Sequence, residues 1–320
     1  MPNPTNLLMF TLIIMSLMLM ASSSSPFMMW ISLEINTISF IALMFLPSNQ
    51  ESSESCMIYF LPQSVGSSLF LMSSSTPAVF STPFLPLIIT LSMALKLGMA
   101  PFHYWFIKTA KNISWKMNSI LMTIQKIPPF MVIIMNTPHP QTKMILILLS
   151  AMVGPFGGIN QTNIKSLLAF SSVSHMAWMM AALYIDNLSW LIYLTVYSTI
   201  FMAISLTLNK KISSINQMIS VNPNMKLTFF LLILSLGGMP PLTGFFQKWM
   251  VITLLSSPLV IFTLMLSAVL NLYFYIRLSL PILLTNNSSN PWMKKNFHMN
   301  ILTIPSLFLL PFLLLFFPIL

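Results

Sequence analysis

Long apolar runs, separated by short polar or proline-rich stretches, make up most of the chain. The runs approach or reach the roughly 17–25 residues that an α-helix needs to cross the hydrocarbon core of a bilayer. Eleven runs are present, at about 3–21, 26–46, 57–75, 83–106, 117–136, 143–158, 163–184, 188–209, 226–256, 258–282 and 300–318. The pattern therefore predicts an all-α integral membrane protein with about eleven transmembrane helices.

The polar stretches are too short to form a soluble domain, so the sequence predicts one membrane domain over residues 1–320. Only 6% of the residues are charged and 56% are hydrophobic, whereas a soluble domain carries about 25% charged residues. The net charge of +10 does not indicate nucleic acid, because the basic residues are spread along the chain between apolar runs. Their spacing is typical of loops at a membrane surface.

The loop lysines predict an orientation. If the N-terminus is placed on side A, one loop lysine, Lys143, falls on side B. Nine fall on side A: Lys108, Lys111, Lys116, Lys165, Lys210, Lys211, Lys226, Lys294 and Lys295. Basic loop residues concentrate on the cytoplasmic or matrix face. Side A is therefore predicted to be that face, with the C-terminus on the opposite side.

Four charged residues lie near the middle of predicted helices: Glu34, Lys96, Lys126 and Lys248. A charge at the bilayer centre costs roughly 2.5–3.5 kcal/mol on insertion scales, so these side chains are predicted to face protein or water. A structural ion pair is the alternative to a functional role, but one glutamate cannot pair with three lysines. A buried lysine that exchanges its proton can act as a proton carrier.

Glycines and prolines interrupt two of the predicted helices close to a lysine. In "LSLGGMPPLTGFFQKWM", residues 234–250, two glycines and two prolines precede Lys248; in "ALKLGMAPFHYW", residues 94–105, Lys96 precedes a glycine and a proline. Broken helices at membrane depth are tolerated only beside protein or water. Each break therefore predicts a polar pocket, and a simple proline kink beside a chance lysine is the alternative.

The two broken helices are the fourth and the ninth, five helices apart. A repeat of five helices is inverted, because an odd number of helices reverses the orientation of the second copy. Helices 1–5 (about 3–136) and helices 6–10 (about 143–282) are therefore predicted as inverted repeats, with helix 11 (about 300–318) outside them. Paired broken helices in corresponding positions mark transport sites.

His175, in "SSVSHMAW", also lies near the middle of a predicted helix. An unperturbed histidine pKa of about 6.5 suits a proton relay, and a histidine bonded to a neighbouring serine is the alternative. The chain has no Walker loop, no dinucleotide fingerprint and no metal-ligand cluster, and Cys56 is its single cysteine. No cofactor-binding or metal-binding residue is therefore predicted.

Three segments together resemble a known family: "MALKLGMAPFHYWF", "GGINQTNIKSLLAFSSVSHMAW" and "LSLGGMPPLTGFFQKW". They resemble, in the same order, the subunit 2 family of mitochondrial NADH–ubiquinone oxidoreductase, respiratory complex I, in its eleven-helix animal form. The similarity covers essentially the whole chain. It implies an antiporter-like subunit of the mitochondrial inner membrane that takes part in redox-driven proton translocation as part of this enzyme. The N-terminus would then lie in the matrix and the C-terminus in the intermembrane space.

The resemblance also implies roles for single residues. Glu34 matches the carboxylate that pairs with a lysine, and Lys96 and Lys248 match the lysines of the two broken helices. Lys126, in "IQKIPP", matches the lysine that links the half-channels. We further predict that Glu34 and Lys96 face each other across a polar cavity, since they lie roughly 12 and 20 Å along helices that run in the same direction.

The resemblance places cofactors in the whole complex, so that NAD, FMN, iron–sulfur clusters and ubiquinone are not bound by this chain. The implied partners are other membrane-arm subunits and membrane lipids, with cardiolipin among the candidates. Leu242 and Ala177 stand where the family usually has Phe and Gly, and both changes leave the proton-carrying groups intact. Two other functions stay open: an independent cation/proton antiporter and a structural spacer that conducts nothing.

Overall fold

The computed structural model describes residues 4–45, 50–75, 84–136, 140–185, 188–208, 214–218 and 223–284. Within these ranges the structure is helical, apart from turns and one isolated bridge between Asn163 and Ser214. Seven helices there are long and apolar enough to cross a membrane: Pro4–Ser22, Pro26–Phe45, Gln50–Ser75, Trp115–Met135, Ile164–Tyr184, Ser189–Thr207 and Pro258–Pro281. The predicted all-α membrane class is confirmed for the described residues.

The chain divides into two compact units, Met1–Ser150 and Ala151–Leu320. The first unit contains α1 (Pro4–Ser22), α2 (Pro26–Phe45), α3 (Gln50–Ser75), α4 (Phe84–Leu97), α5 (Tyr104–Asn112), α6 (Trp115–Met122), α7 (Ile127–Met135) and the first part of α8 (Pro140–Gly158). The second contains the rest of α8 with α9 (Ile164–Ile185), α10 (Ser189–Thr207), α11 (Ile215–Met218), α12 (Pro223–Gly237), α13 (Thr243–Leu254) and α14 (Pro258–Leu284). The first ten predicted windows coincide with helices. The eleventh lies outside the described residues, as do Lys210, Lys211, Lys294 and Lys295.

In the first unit, neighbouring helices pack in chain order, α1 against α2, α2 against α3 and α3 against α4, and α7 packs against α4. Tyr59 of α3 is the centre of an aromatic column, with its ring 5.2 Å from that of Phe40 and 5.7 Å from that of Trp105. α3 is rich in serine, and hydroxyls such as that of Ser67 donate to the carbonyl three residues earlier. These bonds satisfy the hydroxyls within the helix and so make a serine-rich helix compatible with lipid.

In the second unit, α9 occupies the centre, and its residues 164–183 are buried apart from the partly buried Lys165 and Phe170. α10, α13 and α14 pack against it, and α12 packs against α10 and α14. Large aromatic side chains such as Trp178, Trp190 and Tyr275 are fully buried there. Lys226, which the sequence predicted in a loop, lies in α12 and is buried. Its long apolar stem can pack against protein although its head is charged.

Both predicted breaks are present, and both begin with the same turn. After α4, Gly98 has φ 70°, and the amide that follows it donates to the carbonyl of Ala94, five residues earlier. After α12, Gly238 has φ 80°, and the next amide donates to the carbonyl of Leu234 in the same way. This is the Schellman arrangement, in which a glycine adopts the left-handed conformation that other residues disfavour.

A third interruption was not predicted. The fifth predicted span, about 117–136, contains a 3-10 turn at Ile124–Lys126 between α6 and α7. Pro128 and Pro129 have no amide hydrogen to donate to the carbonyls four residues earlier, so regular α-helical bonding lapses at this point. Lys126 therefore also lies at an irregular point of a membrane helix.

Candidate functional site

A cavity in the first unit brings two of the predicted lysines together. The cavity has a volume of about 10 Å³. This is close to the roughly 10–15 Å³ that one bound water molecule needs. The polar side chains that line it come from α2, α3, α4 and the turn before α7, and they include Asn36, Thr37, Tyr59, Gln63, Lys96, Gln125 and Lys126. The predicted polar pocket at the first break is therefore present.

Lys96 occupies the last turn of α4 and is only 4% exposed. Its stem crosses Gly66 of α3, where an added Cβ would lie 2.8 Å from the lysine Cγ. Gln63 donates to the backbone carbonyl of Lys96 at 2.9 Å. Among the described residues the Lys96 Nζ has no hydrogen-bond partner. The backbone of Lys96 is therefore held by protein, while its amine is open to a water molecule or proton in the cavity.

Lys126 reaches the same cavity from the 3-10 turn. Its side chain is 2% exposed, and its Nζ lies 6.0 Å from the centroid of the Phe106 ring. This distance is within the range of a cation–π interaction, which favours a positive charge over the ring face. Lys126 and Lys96 thus approach one small polar space from two different elements.

Glu34 is half-buried on α2 and does not line the cavity. It lies within electrostatic range of both Lys96 and Tyr59, but the Lys96 Nζ makes no hydrogen bond to it. Two charges at such a separation still interact, and each group can gain or lose a proton without breaking a hydrogen bond to the other. That Glu34 and Lys96 face each other across the cavity stays a prediction.

In the second unit, Lys248 folds back across the second break. It is 5% exposed, and its Nζ donates to the carbonyl of Gly237, the last residue of α12, at 2.7 Å. The same Nζ lies 6.0 Å from the centroid of the Trp178 ring. The break therefore leaves a backbone carbonyl outside regular helix bonding, and this carbonyl binds the lysine.

A close backbone contact holds the two halves of this broken helix together. A Cβ at Gly244, near the start of α13, would lie 1.6 Å from the carbonyl oxygen of Ser235 in α12. A side chain cannot occupy that position without moving backbone. Glycine at this point therefore fixes the distance across which Lys248 reaches Gly237.

His175 is fully buried on α9 and is hydrogen-bonded to a tyrosine. Its Nδ1 lies 2.8 Å from the Tyr193 hydroxyl of α10, and its ring centroid lies 5.1 Å from that of Tyr197. The sequence analysis considered a serine partner and missed Tyr193, because a contact between two helices leaves no local pattern in the sequence. A hydroxyl can donate to or accept from the imidazole, so this pair is chemically able to pass a proton.

The chain matches the transmembrane family of NADH:quinone oxidoreductases and Mrp antiporters over residues 23–81 and 76–273. NADH-ubiquinone oxidoreductase chain 2 of Anopheles gambiae is 39% identical in an alignment of 308 positions that covers 91% of this chain and 90% of the mosquito chain. The corresponding chain of Bos mutus grunniens is 34% identical in an alignment of 336 positions that covers 96% of this chain and 97% of its own length. This chain belongs to the NADH-ubiquinone oxidoreductase chain 2 family.

Solved structures similar to this member of the chain 2 family share its fold. A chain of respiratory complex I from Thermus thermophilus has a TM-score of 0.77 at 22% identity, covering 88% of this chain and 71% of that chain. A chain of an archaeal membrane-bound sulfane sulfur reductase has a TM-score of 0.80 at 16% identity, covering 97% and 72%. The fold is therefore shared by proteins whose sequences are only 16–22% identical to this chain.

Proposed function

We propose that this chain is a proton-translocating subunit of the membrane arm of respiratory complex I in the mitochondrial inner membrane. It takes part in coupling electron transfer from NADH to ubiquinone to proton movement, and it has no redox centre of its own. The observation that carries the proposal is the position of three buried lysines, Lys96, Lys126 and Lys248, each at or beside an irregular point of an apolar helix. Intramembrane charges are costly, so their presence supports a function.

In the proposed mechanism a proton enters from the matrix side and is held in turn by the three lysines. A change of charge at Glu34 alters the proton affinity of Lys96. At a separation of about 10 Å and an effective dielectric constant near 20, two unit charges interact by roughly 1.7 kcal/mol. This energy corresponds to about a tenfold change in a protonation equilibrium, enough to bias a transfer.

His175 serves as a further proton relay in this mechanism, and Tyr193 is its hydrogen-bond partner. The imidazole holds one proton on either nitrogen when neutral, and the hydrogen bond made by one nitrogen determines the role of the other. Tyr193 therefore orients His175 for exchange.

The proposal includes the complete topology. Eleven transmembrane helices place the N-terminus in the matrix and the C-terminus in the intermembrane space, and helices 1–5 and 6–10 are inverted repeats. The excess of basic residues in loops on one side supports this orientation. Two left-handed glycines, Gly98 and Gly238, support the repeat, because they start equivalent Schellman turns five predicted helices apart.

The proposed partners are the other membrane-arm subunits and the surrounding lipids, with cardiolipin among them. NAD, FMN, iron–sulfur clusters and ubiquinone are bound elsewhere in the complex. The single cysteine of the chain, Cys56, supports this division, because cysteine thiolates are the usual ligands of iron–sulfur clusters. Nucleic acid is not a proposed partner.

A native gel of detergent-solubilised membranes, stained for NADH oxidation, tests the assembly. We expect an antibody against this chain to detect it in the large band that oxidises NADH. A small oligomer without NADH activity, which exchanges cations for protons in vesicles, would instead identify an independent antiporter. A non-conducting spacer would co-migrate with the activity, but substitution of its lysines would leave proton pumping unchanged.

A further inference from the structure

A reciprocal pair of amides connects α2 to the turn that carries Lys126. The Asn36 Nδ2 donates to the Gln125 Oε1 at 2.8 Å, and the Gln125 Nε2 donates back to the Asn36 Oδ1 at 3.2 Å. Asn36 is 3% exposed and Gln125 is 9% exposed. Two buried amides that satisfy each other in this way form a specific contact, since breaking it leaves buried polar groups without partners.

The location of this pair links two predicted site residues. Asn36 lies two residues after Glu34 on α2, and Gln125 immediately precedes Lys126 in the 3-10 turn. Tyr59 of α3 donates its hydroxyl to the same Gln125 Oε1 at 3.3 Å and is also within electrostatic range of Glu34. All three side chains of this network line the cavity beside Lys96.

The turn itself is a mechanically weak element. A 3-10 turn has poorer hydrogen-bond geometry than an α-helix, and the prolines that follow it remove two further donors. Side-chain contacts must therefore contribute strongly to the position of Lys126. The Gln125 side chain supplies three such hydrogen bonds, two with Asn36 and one with Tyr59.

We propose that Asn36 and Gln125 are positioning residues, and that their amide bridge is the link through which the Glu34-bearing helix sets the position of Lys126 at the cavity. This inference rests on the proposed proton-translocating function. Movement of α2 in response to a charge change at Glu34 is passed to the 3-10 turn by the bridge, and the distance of Lys126 from the cavity water site changes with it. Without the bridge, α2 and the turn move independently.

Gln125→Met tests the link in the assembled complex, because methionine keeps the side-chain length and removes the amide. Whole complex is reconstituted into liposomes, and proton uptake and NADH oxidation are measured together. We expect the proton-pumping rate to fall roughly 2- to 30-fold, the range found for residues that carry coupling. Gln161→Met is the matched control: Gln161 accepts a bond from Ser166 at the start of α9 and does not line the cavity, so pumping should stay normal.

A double variant, Glu34→Gln with Gln125→Met, distinguishes two residues that act through one pathway from two independent defects. If the bridge transmits the Glu34 signal, the double variant pumps no worse than the poorer single variant. Effects that multiply would overturn the link, and so would a normal Glu34→Gln enzyme beside an impaired Gln125→Met enzyme. Normal pumping in all three variants would overturn the link and the role of Glu34, whereas the proposed function itself is contradicted only by normal pumping after substitution of the lysines.

A swapped pair, Asn36→Gln with Gln125→Asn, keeps both amides and the total length of the bridge. We expect it to restore pumping to at least half of the normal rate, which no purely apolar replacement should do. The swapped pair also serves as the test if Gln125→Met does not assemble. A swapped complex that pumps no better than Gln125→Met, or that fails to assemble, overturns the proposal.

Discussion

The three buried lysines have different surroundings, so a substitution at each one removes a different interaction. Lys96 presents its amine to a cavity, Lys126 lies over an aromatic ring, and Lys248 binds a backbone carbonyl. The Lys248 amine donates to the Gly237 carbonyl at 2.7 Å, and an apolar side chain there loses a bond worth roughly 1.5–3 kcal/mol, the range for bonds to charged groups. That loss is small against the packing that holds a buried helix in place.

Lys248→Met should remove proton transfer while leaving the complex assembled. Methionine keeps most of the volume and removes the titratable amine. We expect pumping coupled to NADH oxidation to fall at least about tenfold, since a positioned proton-transfer group contributes on the order of 10²–10⁴-fold. Proton uptake per NADH oxidised is the measurement, with the amount of assembled complex as the control. Normal activity with a normal proton-to-electron ratio would contradict the role of Lys248.

Glu34→Gln should impair pumping without preventing assembly, because Glu34 acts through its charge and makes no hydrogen bond to the Lys96 amine. Removing that charge changes an interaction of about 1–2 kcal/mol at an effective dielectric constant near 20. We expect a pumping rate lowered by up to roughly tenfold. If assembly is lost first while the pumping of the remaining complex is normal, the residue is structural instead.

Single functional residues could be predicted from the sequence where a charged side chain interrupts an apolar segment. Lys96, Lys126 and Lys248 stand out because charge interrupts an apolar run. Neutral partners could not be predicted, because an amide or hydroxyl among many serines carries no comparable signal. Gln125 and Tyr193 become visible only when separate helices are brought into contact.

At the scale of elements, the breaks depend on glycines with two distinct functions. Gly98 and Gly238 supply the left-handed conformation that ends a helix. Gly66 and Gly244 supply space instead, the first for the stem of Lys96 and the second for the backbone of α12. The breaks could be predicted from glycine and proline content. The 3-10 turn before Pro128 was missed, because Ile124 and Ile127 continue the apolar pattern of a helix through it.

Gly244→Ala should disturb the second break severely. A Cβ would lie 1.6 Å from the Ser235 carbonyl oxygen, so α12 and α13 would have to separate. We expect a loss of about 3 kcal/mol or more of stability, typical of overpacking that requires backbone movement, and little assembled complex on a native gel. Gly158→Ala is the control, because its nearest neighbours are ring atoms of Phe274 and a side-chain carbon of Phe170, at 3.3–3.5 Å. Equal assembly of both variants would show that the contact is not needed.

At the scale of the whole molecule, length and hydropathy predicted where helices lie, and ten of the predicted windows coincide with helices of the structure. Burial was harder to predict. α9 is almost completely buried while α1 is mostly exposed, although both segments are apolar enough to cross a membrane. The reason is that lipid and protein interior are both apolar, so hydropathy alone cannot distinguish a lipid-facing helix from a central one.

Membrane-impermeant amine labelling tests the proposed topology. Residues 107–117, 209–226 and 284–299, which the sequence predicts as loops, should face the matrix. Lys108 and Lys111, exposed on α5, are the best reporters among the described residues. We expect labelling in inside-out vesicles and none in intact mitoplasts, with half-buried Lys143 showing the opposite preference. Labelling of Lys108 or Lys111 from the intermembrane side would show that the number of helices before them is wrong.

The bond from Lys248 to Gly237 has a mechanical consequence. It joins the amine that is proposed to exchange protons to the last carbonyl of a helix. The final carbonyls of α12 carry partial negative charge, and a cation bound there is typically worth about 0.3–1 kcal/mol. A neutral Lys248 amine can still donate its hydrogen bond, but it loses the attraction between a positive charge and the helix end. In the proposed mechanism, protonation of Lys248 therefore tightens the last turn of α12, and deprotonation relaxes it. The protonation state of this one lysine would then set how firmly α13 is held to the end of α12.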